Sequence, residues 1–330
     1  LPLYAFENEI TMTDIPVINA AQAAEALRHI DVKAAMRQIF LNLSAGHARQ
    51  PAQKVVLLPD NKGDFINYFG VDMASALIGV KVSPYLVKAT APVITAWTLL
   101  MSTETGMPLM LCDSAALTTA RTAATTALAV DLLAPAQAST LCIIGTGAVG
   151  RAHLRYALSL RNWRAISMWS PSFNGSVEQL GLDADIPPGL VTIATSLEQA
   201  IADVDVLMMC TSSATPVIDT AALSKPCLIT SISTNAPGAH EIDPAALPEM
   251  DVYCDYRATT PAAAGEMVIA AQETNWQPSL IAGDLPELVS GTCAQPTFQR
   301  HVYFRSVGLG LEDVAIAHCV MNYLKQQETQ

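Results

Sequence analysis

The sequence predicts an α/β protein in which a parallel sheet with helices on both faces follows a mixed α+β region. Three observations predict it. The chain has 330 residues, which at roughly 150 residues per domain is enough for two. Its second half alternates strand-like apolar runs with helical stretches, the pattern of a parallel sheet wrapped by helices. Between one such strand and the helix after it lies the turn Gly145-Thr146-Gly147-Ala148-Val149-Gly150.

Composition narrows the class. Hydrophobic residues make up 51% and charged residues 15%, too apolar and too weakly charged for a disordered polymer. The balance of 18 Lys and Arg against 30 Asp and Glu, a net charge of −12, leaves no basic footprint of the kind that neutralises phosphates. Nucleic acid is therefore not an expected partner. Uninterrupted apolar runs such as 76–80 and 141–144 fall far short of the roughly 20 residues a spanning helix needs, so no membrane association is expected. Residues 1–14 show no basic segment followed by an apolar core and a small-residue cleavage site, which makes a soluble, cytoplasmic protein the default. The seven cysteines lack a CxxC pair and read as reduced core residues.

Taken in order, the chain opens with helices over 21–27 and 33–42, capped by Asn19 and Asp31. Strands follow over 55–58, 64–69, 78–82 and 93–101, and the turn at 104–106 folds the last onto 108–112 as a hairpin. From 114 to 133 the chain is Ala, Thr and Leu with few turn residues, one tightly packed helix that ends at Pro135. Strand, turn and helix then alternate: strands over 139–144, 165–169, 191–193, 204–210 and 227–233, with a helix from the glycine turn to about 160 and another over 197–202. A final helix is expected from about Phe304.

The strand-turn-helix context converts a common glycine pattern into a specific one. Gly145 permits the tight turn, Gly147 lets backbone approach a pyrophosphate, and Gly150 lets the helix pack closely, its N-terminus presenting N–H groups to the anion. This is a Rossmann-type, doubly wound dinucleotide site, with Thr146, Ala148 and Val149 in the same turn. The carboxylate that usually holds the ribose about 20 residues on is absent: 151–177 contains no Asp or Glu, and the second strand ends Trp169-Ser170-Pro171-Ser172. No Arg stands at the strand end either, so NAD(H) and NADP(H) both remain open. Thr211, Ser212 and Ser213 follow a strand and either line the nicotinamide side or cap the next helix; Ser233 ends another strand. Lys81 lies in an apolar strand, where a cation needs an anion or carboxylate, and Arg121 interrupts the Ala/Thr helix with a guanidinium suited to a carboxylate. Either is a substrate anchor or half of a structural ion pair.

The run LTTARTAATTALAVDLLAP with STLCIIGTGAVGRAHLRYAL resembles the ornithine cyclodeaminase and mu-crystallin family. Supporting stretches are QPAQKVV near Gln50, GVK at Lys81, TETGMPLMLCDSAALT, ISTNAPGAHEID, GE at Gly265 and RSVGLGLED ending at Asp313. The resemblance implies a homodimer acting on a small amino or imino acid with NAD(H) or NADP(H). It also implies a substrate-binding and dimerisation domain over 1–118, a Rossmann domain over 119–303, and a C-terminal helix over 304–330 returning to the first domain. It implies that Lys81 and Arg121 bind the substrate carboxylate, that Thr98 and Thr122 line cofactor or substrate, and that Glu312 and Asp313 lie toward the cofactor, unless they serve only to stabilise a helix N-terminus.

Two positions depart from the family pattern. Gln53 stands where an Arg is usual, leaving Lys54 or Arg49 to supply a third cation, and Asn235 stands where the cyclodeaminases carry an Asp. An Asn is no base, so the resemblance favours hydride exchange at the C–N bond of an amino acid and its imino or keto acid, with Lys81 also moving the proton. Cyclodeamination with catalytic NAD+ and a non-catalytic nucleotide-binding protein are the alternative readings. Of six histidines, none spaced for metal, only His240 is placed to approach substrate.

Overall fold

The computed structural model describes residues 15–182, 186–233 and 238–329. Asn19 accepts from the amides of Ala21 and Gln22 and Asp31 from that of Ala34. The helices they cap are α1 (Ala20–Ala26) and α2 (Val32–Ser44), satisfying N–H groups that have no partner inside a helix. A first sheet is built from β1 (Val17–Ile18), β2 (Ala48–Arg49), β3 (Lys54–Leu57), β4 (Gly63–Asp72), β5 (Leu77–Leu86), β6 (Val93–Ile94), β7 (Trp97–Ser102) and β8 (Pro108–Asp113). Its order is β1-β8-β7-β5-β4-β2, with β3 on β4 and β6 on β5. All its pairs are antiparallel except β1 with β8.

The strand expected over 93–101 is two strands. Thr95 N still bonds Pro84 O on β5, but Ala96 O accepts from Ser114 N, so Ala96 leaves the ladder to hold the start of α3 (Ala115–Leu133). Twelve of the 19 residues of α3 are buried. It packs against α1, α2 and elements of the second sheet, which makes it the spine between the two layers.

The second sheet is entirely parallel. It comprises β9 (Thr140–Ile144), β10 (Ala165–Trp169), β11 (Val191–Ile193), β12 (Val206–Met209), β13 (Leu228–Ser231), β14 (Asp251–Cys254), β15 (Gly283–Asp284) and β16 (Val302–Arg305). The order β11-β10-β9-β12-β13-β16-β14-β15 reverses direction between β9 and β12, and ligands of such sheets bind at that switch point, beyond the strands' carboxyl ends. The helices of this half are α4 (Ala148–Ala157), α5 (Leu197–Ile201), α6 (Thr260–Ala263), α7 (Gly265–Glu273) and α8 (Leu285–Ser290).

The expectation of a helix from Phe304 is corrected. Residues 302–305 form β16, a buried interior strand between β13 and β14, as a β-branched and aromatic run should. Gly308, with φ +79°, then turns the chain before α9 (Gly310–Glu328) begins. Helix α9 crosses back onto β4, β5 and β7. Its approach is close because a Cβ at Gly310 would lie 2.2 Å from Phe69 O, and one at Gly70 would lie 2.7 Å from Leu311 N. That contact brings the first turn of α9 over the middle of β5. No helix among the described residues is long and apolar enough to cross a membrane.

Candidate active site

At the switch point, residues 145–149, 169–173, 210–213, Pro216, Val217, Ile232 and Ser233 wall a crevice of about 1030 Å3, joined from the first sheet by Ile94. Gly145 takes φ +118°, and a Cβ there would sit 2.4 Å from Cys210 O, while one on Gly150 would sit 1.9 Å from Gly145 O. The turn therefore tolerates no side chain at either glycine. Around Gly147 a Cβ would meet nothing within 4 Å. Gly147 is the N-cap of α4 and has no side-chain cap bond, so open space faces helical N–H groups, as a bound pyrophosphate requires. These residues fit a dinucleotide.

The two loops on the far wall are tied together by Glu241, which is fully buried. Its Oε1 accepts from Thr211 N at 2.9 Å and Thr211 Oγ1 at 2.6 Å, and its Oε2 from Ser231 Oγ at 2.7 Å and Ser233 N at 2.9 Å. Thr211, Ser212 and Ser213 thus line the crevice and cap no helix. At the end of β10, Ser170 Oγ and Ser172 Oγ lie 3.2 Å apart, neutral groups where a ribose-binding carboxylate or a phosphate-binding Arg would otherwise stand.

The second constellation is a cluster of four buried charges. Lys81, on β5 and 1% exposed, places Nζ 3.1 Å from Asp313 Oδ1, 3.3 Å from Thr118 Oγ1 and 4.2 Å from the centre of the Tyr68 ring. From α3, Arg121 directs Nε to Asp313 Oδ1 and Nη1 to Glu312 Oε2, each at 3.1 Å. Glu312 also accepts from Thr125 Oγ1 and from Leu309 N, the latter closing the start of α9. Burial and the neighbouring Arg121 push the Lys81 ammonium down to about 8 against the pull of Asp313. Burial also pushes the Glu312 carboxyl up to about 7 although Arg121 opposes it. For Arg121 burial acts the other way, but the two carboxylates outweigh it and its pKa is raised.

A run of bonded residues joins cluster and crevice. Ser231, held by Glu241, also receives Arg305 Nη1 at 3.2 Å and its carbonyl accepts from Ser306 N. Asp255 Oδ2 then accepts from Ser306 Oγ, Val307 N and Gly308 N. Gly308 abuts Arg121, since a Cβ there would lie 2.1 Å from Nη1.

Several expected residues are placed elsewhere. Asp313, expected toward the cofactor, lies between Lys81 and Arg121. Thr98 is buried on β7 opposite Lys81 and accepts from Ser114 Oγ; Thr122 follows Arg121 on α3. Neither is among the described residues walling the crevice. Among the described residues no third cation joins the cluster: Arg49 Nη1 is engaged by the carbonyls of Gly46 and Ala48, and Lys54 is exposed on β3. Gln53 lies in the preceding loop. His240 belongs to a separate surface hollow with Asp243 and Glu273, and Asn235 lies outside the described residues.

Sequence reasoning missed Glu241 and Asp255, the two carboxylates that fix these loops. Asp255 follows the apolar run of β14, where an acid is costly unless bonded, a signal shared with many surface acids; Glu241 follows Gly238-Ala239-His240 and carries no such signal.

Comparison with known proteins agrees with this geometry. The chain is 53% identical over 304 residues, 92% of its own length and 96% of the relative's, to the NAD(P)H-dependent anabolic L-arginine dehydrogenase DauB of Pseudomonas aeruginosa. It is 29% identical over 233 residues, 68% of this chain and 72% of the other, to the Delta(1)-pyrroline-2-carboxylate reductase of Colwellia psychrerythraea. Its fold matches that of the Thermococcus litoralis Delta(1)-pyrroline-2-carboxylate reductase solved with NADH and L-proline, with a TM-score of 0.85, 21% identity and coverage of 95% of this chain and 98% of that one. The family model for the ornithine cyclodeaminase/mu-crystallin family matches residues 16–328, and the chain belongs to that family.

Proposed function

We propose that this chain is an L-amino-acid dehydrogenase for a basic amino acid, L-arginine, interconverting it with its 2-oxo acid. The class is given by its family and relatives: an NAD(P)-dependent oxidoreductase acting at the carbon–nitrogen bond of α-amino or α-imino acids. The observation that carries the finer reading is the pairing of a dinucleotide crevice with buried Lys81 and Arg121, coupled through the 305–308 segment. The 53% identity to an arginine dehydrogenase supports the substrate.

In the synthetic direction a 2-oxo acid and ammonium lose water to form a C=N bond, whose carbon then gains a hydride and whose nitrogen gains a proton. A dinucleotide held at the 145–150 turn would supply that hydride from its nicotinamide. Arg121 and Lys81 hold the substrate carboxylate, which replaces a random encounter with an oriented one. Lys81, with its ammonium near pH 8 in affinity for protons, delivers the proton to nitrogen and retrieves it in reverse. The residues at 145–150, 170, 172, 211–213 and 233 hold the dinucleotide by backbone and hydroxyl groups, and the neutral Ser170/Ser172 pair suits either NAD(H) or NADP(H). The first sheet with α9 forms the substrate lobe and the second sheet the nucleotide lobe.

Val56, Phe69 and Ile78 are exposed apolar side chains that share one face of the first sheet, and they support a homodimer through that face. One preparation tests both statements. Light scattering on a sizing column should give twice 35.0 kDa, and a monomer would refute the dimer. L-arginine with NAD+ or NADP+ should reduce the nicotinamide and release ammonium. Ammonia release without net nicotinamide change would establish a cyclodeaminase instead, and tight nucleotide binding without turnover of any amino or imino acid would establish a binding protein.

A further inference from the structure

A small cavity of about 90 Å3 lies apart from the crevice. Gln50, Ala52 and Gln53 wall it on one side, the α6 N-cap Thr259 with Ala262 and Ala263 of that helix on another, and Val307, Gly308 and Leu309 on a third. It holds two buried oxygens, Gln53 Oε1 and Thr259 Oγ1, that have no hydrogen-bond partner among the described residues. Buried acceptors are nearly always bonded in folded proteins, so a pair left open in one cavity marks a place for a donor. The cavity shares Gly308 with the cation cluster, because Arg121 packs directly on that residue.

We infer that this cavity receives the nitrogen-bearing end of the substrate side chain, with Gln53 and Thr259 as the residues that select a guanidinium. The inference rests on the dehydrogenase reading above and extends it to side-chain recognition. A guanidinium carries five N–H donors and no acceptor, which matches two unpaired oxygens; a carboxylate would add acceptors where donors are missing. The volume admits the tip of a side chain and not a whole amino acid, so the α-carbon and its carboxylate stay with Arg121. No acid among the described residues lines the cavity, but Asp255 is buried behind it, bonded to the amides of Val307 and Gly308, and offsets the Arg121 cation that abuts the same glycine. Gln53 stands where the family pattern carries Arg, and an Arg there would present donors to donors.

The test compares kcat/KM for the 2-oxo acid bearing a guanidino side chain and for 2-oxohexanoate, each with ammonium and NADPH, in the wild type, Gln53→Met and Thr259→Val. Each substitution removes an acceptor at nearly constant size. Each should lower kcat/KM for the guanidino substrate by roughly ten- to a hundredfold, since a charge-assisted hydrogen bond is lost and a guanidinium N–H is left buried without an acceptor. The alkyl substrate should be unaffected or improved. Equal loss on both substrates would overturn the inference, assigning Gln53 to the carboxylate; no loss on either would remove the cavity from the site. Failure of the dehydrogenase reading shows separately, as a wild type that turns over neither substrate, and the inference falls with it. Thermal melting of both variants identifies a folding defect, and either variant alone suffices for the comparison.

Discussion

The crevice at the ends of β9, β10 and β12 is walled by backbone amides, hydroxyls and apolar side chains, whereas the cluster beneath α9 consists of four charges buried almost completely. The crevice attracts its ligand with dipoles that are fixed by the turn and need no counter-ion. In the cluster, Glu312 and Asp313 already neutralise Arg121 and Lys81, so the arrangement is stable only while all four members remain. The difference teaches that damage should stay local in the crevice and spread in the cluster.

The largest expected effect tests the spreading. Arg121→Ala removes the partner of both carboxylates, and breaking a buried ion pair from one side costs about 3–5 kcal/mol because the remaining charge stays buried. Substrate KM should rise strongly, with kcat/KM down on the order of a thousandfold, while cofactor affinity persists. The melting temperature should fall as well. Adding Glu312→Gln to that variant should recover part of the stability and none of the activity. Unchanged kinetics in Arg121→Ala would take it out of the site.

The same contrast explains what the sequence disclosed. The glycine turn was legible because its strand, turn and helix are contiguous, and each glycine answers a local steric need. Lys81 and Arg121 were legible as misplaced cations in apolar elements. Their partners were not: Lys81 and Asp313 are 232 positions apart and Arg121 and Glu312 are 191 apart, so no periodicity joins them. Only the path of α9 does, and that path depends on β16, whose apolar run reads equally as the start of a helix. The split of 93–101 into β6 and β7 was hidden for a like reason, since Ala96 leaves the ladder for Ser114, a contact made through the fold.

A smaller effect tests the local character of the crevice. In Gly147→Ala the new methyl meets no protein atom within 4 Å, so melting without ligand should match the wild type. The methyl does intrude on the space a pyrophosphate needs, and NADH affinity, read by nicotinamide fluorescence, should weaken roughly tenfold. An unchanged affinity would mean that the diphosphate does not lie against this turn. A lowered melting temperature would mean that the turn is already crowded.

The smallest effect separates the two regions by their response to pH. Burial raises the Glu312 pKa from the ordinary 4.5 to about 7, so the folded chain binds this proton more tightly than the unfolded chain. Stability from that proton is fully present below the unfolded value and is lost as pH rises through about 7. Glu312→Gln carries no charge at any pH and lacks this slope. The melting temperature of the wild type minus that of the variant should therefore decline by a few degrees between about pH 5 and about pH 8. A flat or rising difference would show that attraction to Arg121 exceeds the cost of burying the carboxylate. Gly147→Ala, compared with wild type over the same range, should give no slope, because nothing at that turn titrates; a slope there would trace the pH response to a source outside the cluster.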